Sequence, residues 1–462
     1  MRELKVALLP GAAGMEDLCN RVAHLPYTAW LDTSLTMNKL GRFSFLGFEP
    51  FLVLTSRGRE CILHRRSGTQ ERLEADPFTL LRDILQRHRQ RPLAGLPPFL
   101  GGGIGYLAYE LGRLIERLPG RAVDDLGLPE MTFAFYDQVV AHDHSSGETW
   151  LATSAAAVEE LDLKERWQRA SELLAAEPPS YGQSAPPAEV AFERGFSRPD
   201  YLEAVRRVKE YILAGDIYQA NLSQRFSAPM AEHPWMFYRR LRRLNAAPFS
   251  AYLNFGPVQV CSSSPERFVR IDGDSVETRP IKGTRRRGRD EEEDGRLAQE
   301  LQASSKDRAE LSMIVDLERN DMGRVCSYGS VQVEEHAVIE SYATVHHLVS
   351  TVAGKLHPGR DAVDLLLASF PGGSITGAPK IRSMEIIDEL EPTARSVYTG
   401  CIGYLGFDGR ADLNIAIRTV LVKGQRAYFQ VGGGIVADSV PEDEYQETLD
   451  KGEAIFRTLQ GK

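Results

Sequence analysis

The sequence has 462 residues, of which 42% are hydrophobic and 26% charged, and its formal net charge is −9. This is enough apolar material for one large domain or two to three ordinary domains, and the acidic balance argues against a nucleic-acid partner, because phosphate binding needs a basic face. No apolar stretch approaches the roughly 18 residues of a membrane span, and the apolar run that stops at Pro10-Gly11 suits a first strand better than a signal sequence, so we expect a cytoplasmic protein.

The N-terminal region is predicted to be rich in strands. Strand-like runs occur at 51–56, 61–66, 131–143 and 149–154, and GGGIGY at 101–106 fits a strand entry, since Tyr106 breaks the dinucleotide-binding pattern. Residues 173–196 are rich in Pro, Ala and Ser without an apolar period, which indicates a linker or long surface loop. The sequence therefore predicts a first region over 1–172 and a second over 197–462.

Helices are predicted in the second region. Ser197 followed by Pro199 is a helix start, and apolar residues then recur at helical spacing. A second helix is predicted over 307–323. A last helix is predicted to begin at Ser439, where a capping-box spacing and Pro441 coincide. Five scattered cysteines without CxxC spacing indicate buried thiols rather than disulfides or a zinc site.

Two pairs of acidic residues lie near predicted helix starts. Asp307 and Glu310 are three residues apart in one helix, and Glu444 and Glu447 are three apart in another, so each pair shares a helix face. Two such faces brought together would offer oxygen ligands to Mg²⁺. Acidic side chains near helix N-termini are also ordinary dipole partners, and spacing alone leaves both interpretations open.

Glu266 and Lys282 form a candidate catalytic couple. A desolvated lysine can act as a nucleophile, and a carboxyl of raised pKa can protonate a leaving hydroxyl. The alternative is that Lys282 belongs to a solvated loop continuing through RRRGRDEEEDG.

Three further features could bind an anion or relay a proton. The segment 369–383, SFPGGSITGAPKIRS, has the composition of an anion-binding loop before a helix, although Gly377-Ala378-Pro379 excludes a P-loop. Arg418 is predicted in a strand, on the face opposite Ile415 and Ile417, where a carboxylate-binding and a solvated role are both open. His347 could relay a proton or satisfy a core hydrogen bond.

The order and wording of motifs from 197 to 456 closely resemble the chorismate-utilising enzyme family. The matching segments are GDIYQANLSQRF (215–226), SSSPERF (262–268), RPIKGTRRRG (279–288), DRAELSMIVDLERNDMGRVC (307–326), HHLVS (346–350), FPGGSITGAPK (370–380), VYTGCIGY (397–404), DLNIAIRT (412–419), VGGGIV (431–436) and PEDEYQETLDK (441–451). Weaker similarity, such as GRFSFLGFEP, extends through the N-terminal half.

The resemblance implies an α+β fold, a large intertwined sandwich of two orthogonally packed antiparallel sheets with outer helices. It makes 197–462 the chorismate-binding catalytic region. By motif position, Glu310 and Glu447 would ligate Mg²⁺, with Asp307 and Glu444 in support. The resemblance assigns chorismate to Ser374, Tyr398, Arg418 and the backbone of Gly434, and it places His347 beside the reacting ring.

Two positions discriminate within the family. Members that add water resemble one another in carrying a lysine where this chain has Gln219, so water is disfavoured as the nucleophile. Members that aminate chorismate at C2 typically read PIAGT, whereas PIKGT with Lys282 resembles members that aminate C4. We therefore expect C4 amination by ammonia, with Glu266 as the acid and Lys282 as the nucleophile.

Partners and rival functions follow from the same resemblance. The chain contains no recognisable Cys-His glutaminase module, so use of glutamine would need a separate glutaminase subunit. The runner-up is C2 amination on the same scaffold. A catalytically silent subunit that binds an amino acid is the rival from another class, and retention of the acid, the lysine and four carboxylates argues against it.

Overall fold

The computed structural model describes residues 4–9, 11, 14–37, 39–154, 162–182, 190–342 and 345–462. The strands of these ranges are, in chain order, β1 (Leu4–Leu8), β2 (Thr28–Asp32), β3 (Phe43–Gly47), β4 (Leu52–Arg57), β5 (Glu60–Arg65), β6 (Gln70–Glu74), β7 (Gly102–Leu107), β8 (Met131–Tyr136), β9 (Gln138–Asp143), β10 (Thr149–Ser154), β11 (Glu193–Arg194), β12 (Gln219–Pro229), β13 (Phe249–Phe255), β14 (Val258–Ser264), β15 (Arg267–Asp272), β16 (Ser275–Arg279), β17 (Ile281–Arg286), β18 (Gln332–Ser341), β19 (Val345–Lys355), β20 (Gly377–Ala378), β21 (Cys401–Gly406), β22 (Ala411–Ile415), β23 (Thr419–Lys423) and β24 (Arg426–Ile435). The helices are α1 (Met15–Val22), α2 (Pro77–Arg87), α3 (Leu163–Ala175), α4 (Arg198–Leu213), α5 (Pro234–Leu244), α6 (Glu291–Ala303), α7 (Ser305–Gly323), α8 (Ala362–Ser369), α9 (Lys380–Leu390) and α10 (Pro441–Leu459), with short 3₁₀ segments at Tyr109–Leu114 and Gly373–Ile375.

The strands form two large antiparallel sheets. The first has the order β1-β10-β9-β3-β2-β13-β14-β23-β24-β12-β11, with β20 also paired to β12. The second has the order β17-β19-β16-β15-β22-β21-β7-β8-β4-β5-β6, with β18 also paired to β19. Each sheet combines strands from before and after the predicted linker. The predicted α+β class with two antiparallel sheets is confirmed.

The core lies in layers around these sheets. One cluster of buried side chains comes from inner faces of both sheets, including Ile104, Ala134, Leu253 and Val260. A second joins the outer face of the first sheet to α1, α3, α5 and α10, and a third joins the outer face of the second sheet to α2, α7 and α8. Apolar residues on both faces of a strand therefore reflect burial on both sides.

All three predicted helices are present, but the predicted capping box of the last one is wrong. Helix α4 begins after Ser197, whose hydroxyl accepts a hydrogen bond from the Asp200 backbone N–H at 3.3 Å, and α7 covers 307–323. At α10, Val440 occupies the cap position without a side-chain bond. The Ser439 hydroxyl instead donates a hydrogen bond to the Glu444 carboxylate at 2.6 Å. Ser439 therefore does not cap the helix.

The strand-like run over 131–143 is two strands in different sheets. The chain leaves β8 of the second sheet at Asp137 and enters β9 of the first. Asp137 is 1% exposed and forms ion pairs with Arg66 at 2.7 Å and Arg166 at 2.8 Å. The buried charge of Asp137 is thus paired at the point where the chain crosses between sheets. Period-2 alternation in the sequence does not reveal this crossing.

The predicted linker is partly structured. Helix α3 extends to Ala175, Glu193–Arg194 pairs with β12, and 183–189 lie outside the described residues. The division into regions stays a prediction. All five cysteines are buried and free, as predicted. No helix in the described ranges is long and apolar enough to cross a membrane, and the cytoplasmic location stays a prediction.

Candidate active site

A cavity of about 150 Å³ lies where strands of both sheets meet. Its walls come from β12 and β24 of the first sheet, β17 and β19 of the second, the Gly373–Ile375 turn and the segment before β21. Six of the predicted site residues line it: Glu266, Lys282, His347, Ser374, Tyr398 and Arg418. Gly434 is not in the wall, which Gly432 of the same strand lines instead.

Lys282 directs its amine into this cavity. The residue lies in β17, opposite Leu348 of β19, and Nζ donates a hydrogen bond to the Ser374 carbonyl at 2.9 Å. Burial lowers the pKa of the Lys282 ammonium and Lys451 acts in the same direction, although Glu310 favours the charged form. The solvated-loop alternative is therefore excluded, because strand pairing holds this side chain inside.

Glu266 is 4% exposed, in the connection between β14 and β15. The backbone N–H of Ile281 donates to its carboxyl at 3.4 Å, so the acid lies next to the residue that precedes Lys282. Burial raises the pKa of the Glu266 carboxyl, although Ser374 and Lys282 favour the ionised form. A carboxyl that keeps its proton at higher pH than usual is suited to general-acid chemistry.

His347 is a neutral imidazole in the cavity wall. It is 2% exposed, and its Nδ1 shares a hydrogen bond with the Thr284 hydroxyl at 2.9 Å. Burial, reinforced by Arg418, lowers the pKa of His347 to about 3. In the part of the chain that the structure describes, Nε2 has no hydrogen-bond partner, so it can serve a bound molecule.

Arg418 is not in a strand, contrary to the prediction. It lies between β22 and β23, which belong to different sheets, and its φ is 50°. This left-handed conformation turns the chain and interrupts period-2 alternation, so the predicted strand face opposite Ile415 and Ile417 does not exist. The side chain lines the cavity and reaches Asn245 Oδ1 at 3.4 Å.

Three of the four predicted carboxylates lie next to strands that line the cavity: Glu444 and Glu447 beside β24, and Asp307 beside Gly283 of β17. An added Cβ at Gly433 would lie 3.2 Å from Glu444 Oε2 and 3.4 Å from Glu447 Oε1, so both carboxylates of α10 lie over one point of β24. Glu447 pairs with Lys451 at 2.6 Å. On α7, Asp307 pairs with Arg285 at 3.2 Å.

The donor chemistry fits Mg²⁺. Burial raises the pKa of Glu310, Lys282 and Lys306 oppose this shift, and the negative charges of Asp307 and Glu447 add to it. Among the described residues, no group of three or more His, Cys, Asp or Glu side chains is arranged to hold a metal. Mg²⁺ commonly binds through one or two carboxylates, water and substrate oxygens, so Glu310 and Glu447 would be enough as protein ligands, and this assignment stays a prediction.

The sequence interpretation missed several wall residues. These are Asn221, Thr284, Arg395, Thr399 and Lys451. Lys451 had a detectable signal, since it follows Glu447 by four residues on a predicted helix. Asn221 and Thr284 contact Ser374 and His347, which are distant in sequence, so no local pattern indicated them. Arg395 contacts Glu391 and Thr399, each four residues away, but neither residue lies in a predicted helix that would have indicated the pairing.

A second cavity, of about 330 Å³, lies elsewhere in the molecule. Its wall includes Arg42 and Phe43, within GRFSFLGFEP, and an ion pair between Arg267 and Asp412 at 3.0 Å. None of the predicted catalytic or metal-binding residues lines it. The candidate active site is therefore the cavity of about 150 Å³ that Glu266 and Lys282 line.

The chain belongs to the chorismate binding enzyme family, whose family model matches residues 35–457. It is thus a chorismate-utilising enzyme. Aminodeoxychorismate synthase component 1 of Bacillus subtilis is 41% identical over 428 residues, which cover 91% of this chain and 90% of that protein. Anthranilate synthase component 1 of Thermus thermophilus is 45% identical over 395 residues, which cover 84% of each.

Solved structures agree with the family. Anthranilate synthase component I from Streptococcus pneumoniae superposes with a TM-score of 0.81 at 34% identity, covering 92% of this chain and 94% of that one. The menaquinone-specific isochorismate synthase from Escherichia coli has a TM-score of 0.75 at 18% identity, covering 100% of this chain and 95% of that one, and shares the fold.

Proposed function

We propose that the protein aminates chorismate at C4 with ammonia, giving 4-amino-4-deoxychorismate, the precursor of 4-aminobenzoate for folate. The observation that carries this proposal is the Lys282 amine, which donates to the Ser374 carbonyl inside the cavity that Glu266 also lines. Lysines whose pKa is lowered by burial are effective nucleophiles, and an adjacent protonated carboxyl supplies the acid that a leaving hydroxyl needs.

In the first step, Glu266 donates its proton to the C4 hydroxyl, which leaves as water. The lone pair of neutral Lys282 forms a bond from Nζ to C2 as the two ring double bonds shift. In the second step, ammonia forms a bond to C4, the double bonds shift back and the C2–Nζ bond breaks. The extra proton on the new C4 ammonium returns to Glu266, so chorismate and ammonia become aminodeoxychorismate and water.

Other wall residues orient the substrate. Arg418 offers a planar fork to a carboxylate, and the free Nε2 of neutral His347 can share a proton with a substrate oxygen. Mg²⁺, held by Glu310 and Glu447 with support from Asp307 and Glu444, would bind the ring carboxylate. The ammonia would come from a separate glutaminase, as the name component 1 of the relatives suggests.

The second candidate function is C2 amination to anthranilate. It is favoured by the Thermus thermophilus relative, whose 45% identity exceeds the 41% of aminodeoxychorismate synthase component 1 of Bacillus subtilis. Direct attack of ammonia at C2 needs no protein nucleophile. The role of Lys282 therefore distinguishes the two reactions.

The test is chromatography of the products from purified protein, chorismate, Mg²⁺ and an ammonium salt. We expect 4-amino-4-deoxychorismate, and we expect Lys282→Ala to abolish it while Lys355→Ala, at an exposed position of neighbouring β19, retains it. Anthranilate from the unaltered protein would reject C4 amination. An unchanged rate in Lys282→Ala would reject the covalent role, and absence of both products would favour a silent binding subunit.

A further inference from the structure

Arg395 lies in the cavity wall, in the connection between α9 and β21, and is 3% exposed. A guanidinium has five N–H groups, and each has an acceptor here. Nε donates to Glu391 Oε2 at 2.9 Å. One terminal nitrogen donates to the Ile375 carbonyl at 3.1 Å and the Thr399 hydroxyl at 3.3 Å, and the other to the Asn221 carbonyl at 2.7 Å and Glu391 Oε1 at 2.6 Å.

These acceptors come from separate segments that converge on the cavity. Asn221 belongs to β12, Ile375 to the 3₁₀ turn that contains Ser374, and Thr399, with φ of 61°, follows Tyr398. Glu391 is itself held by the backbone N–H and hydroxyl of Ser223 of β12, at 2.8 and 2.9 Å. Arg395 is thus the common partner of segments distant in sequence.

The same segments hold the resting position of Lys282. The Ser374 carbonyl accepts from Lys282 Nζ at 2.9 Å and from the Asn221 side-chain amide at 2.7 Å. Arg395 binds the next carbonyl, of Ile375, and the backbone carbonyl of Asn221. Arg395 therefore fixes Ile375 and Asn221, the two residues next to the Ser374 carbonyl that accepts the hydrogen bond from Lys282.

We propose that Arg395 is a positioning residue, which fixes β12, the Ser374–Ile375 turn and the Tyr398–Thr399 turn so that Lys282 faces the ring carbon of bound chorismate. All five of its N–H groups are used within the protein, so none remains to bind a substrate carboxylate. A lysine cannot replace it, because an ammonium has three donors and no planar fork. This inference rests on the proposed function for the identity of the nucleophile.

The test compares Arg395→Lys with Arg113→Lys. Arg113 also pairs with a carboxylate of α9, Asp388, at 2.9 Å, but it does not line the cavity that Lys282 enters. For Arg395→Lys we expect kcat for chorismate consumption to fall roughly 100-fold, since small displacements from attack geometry cost about that much. We expect KM to stay within about 3-fold, because no substrate contact is removed. Arg113→Lys should keep both constants.

Three results would overturn the proposal. A raised KM with unchanged kcat would make Arg395 a substrate ligand. A lowered melting temperature with unchanged kcat below the transition would make its role structural. Hydrogen–deuterium exchange of backbone amides, measured by mass spectrometry without substrate, should be faster in Arg395→Lys than in the unaltered protein at 219–223 and 373–377. Equal exchange in the two proteins is the third result that would overturn the proposal. If the unaltered protein consumes no chorismate, the proposed function fails while the exchange result still decides this inference.

Discussion

Substitution of Glu318 by glutamine should change how stability depends on pH. Glu318 is 8% exposed in α7, and the Thr278 hydroxyl donates to it at 2.9 Å. Burial, together with the charges of Glu266 and Asp321, raises its pKa from 4.5 to about 8, with Lys380 opposing. The folded state therefore keeps a proton that the unfolded chain releases near pH 4.5.

The sign and the magnitude follow from this difference. Because the folded state binds more protons, the free energy of unfolding falls as pH rises from 4.5 and the loss is complete above about 8. At about 1.4 kcal/mol per pKa unit, the total approaches ~5 kcal/mol. Glutamine keeps an acceptor for the Thr278 hydroxyl and cannot ionise, so the variant lacks this loss.

The assay is thermal unfolding of both proteins between pH 5 and 9 at constant ionic strength. The two melting temperatures should be close at pH 5 and should separate with rising pH, with Glu318→Gln the more stable. The exposed Glu453→Gln serves as the control and should follow the unaltered protein at every pH. Parallel curves for Glu318→Gln and the unaltered protein would refute the reasoning.

Three other predictions concern the site and its backbone. Glu266→Gln should lower kcat by about 10²- to 10⁴-fold with little change in KM, since the acid is lost and binding remains; an unchanged kcat would remove Glu266 from the mechanism. Gly434→Ala places a Cβ 2.0 Å from Gln219 Nε2 and should lower activity and melting temperature, whereas Gly295→Ala, with open space in α6, should raise stability by about 0.5–1 kcal/mol. Chelation should abolish amination until Mg²⁺ is restored, and Glu310→Gln should raise the Mg²⁺ concentration needed; activity insensitive to chelator would contradict the metal assignment.

Local sequence determined several features directly. The cap at Ser197 and the spacing within α7 predict helices that form as expected, because capping and helical periodicity are short-range properties. The acidic pairs of α7 and α10 share helix faces for the same reason. The resemblance predicted the two-sheet fold, which the structure confirms.

The tertiary structure decided what each side chain faces. The chain crosses between sheets at Asp137 and Arg418, so these residues are partly or wholly enclosed where the sequence pattern predicts continuing strands. The sequence left Lys282 either a nucleophile or a solvated loop residue, and only the pairing of β17 with β19 decided between them by turning its amine toward Ser374. Burial and long-range contacts set the pKa values and hydrogen-bond partners of these side chains. Such contacts join residues that are far apart in the chain, so a local sequence pattern cannot predict them.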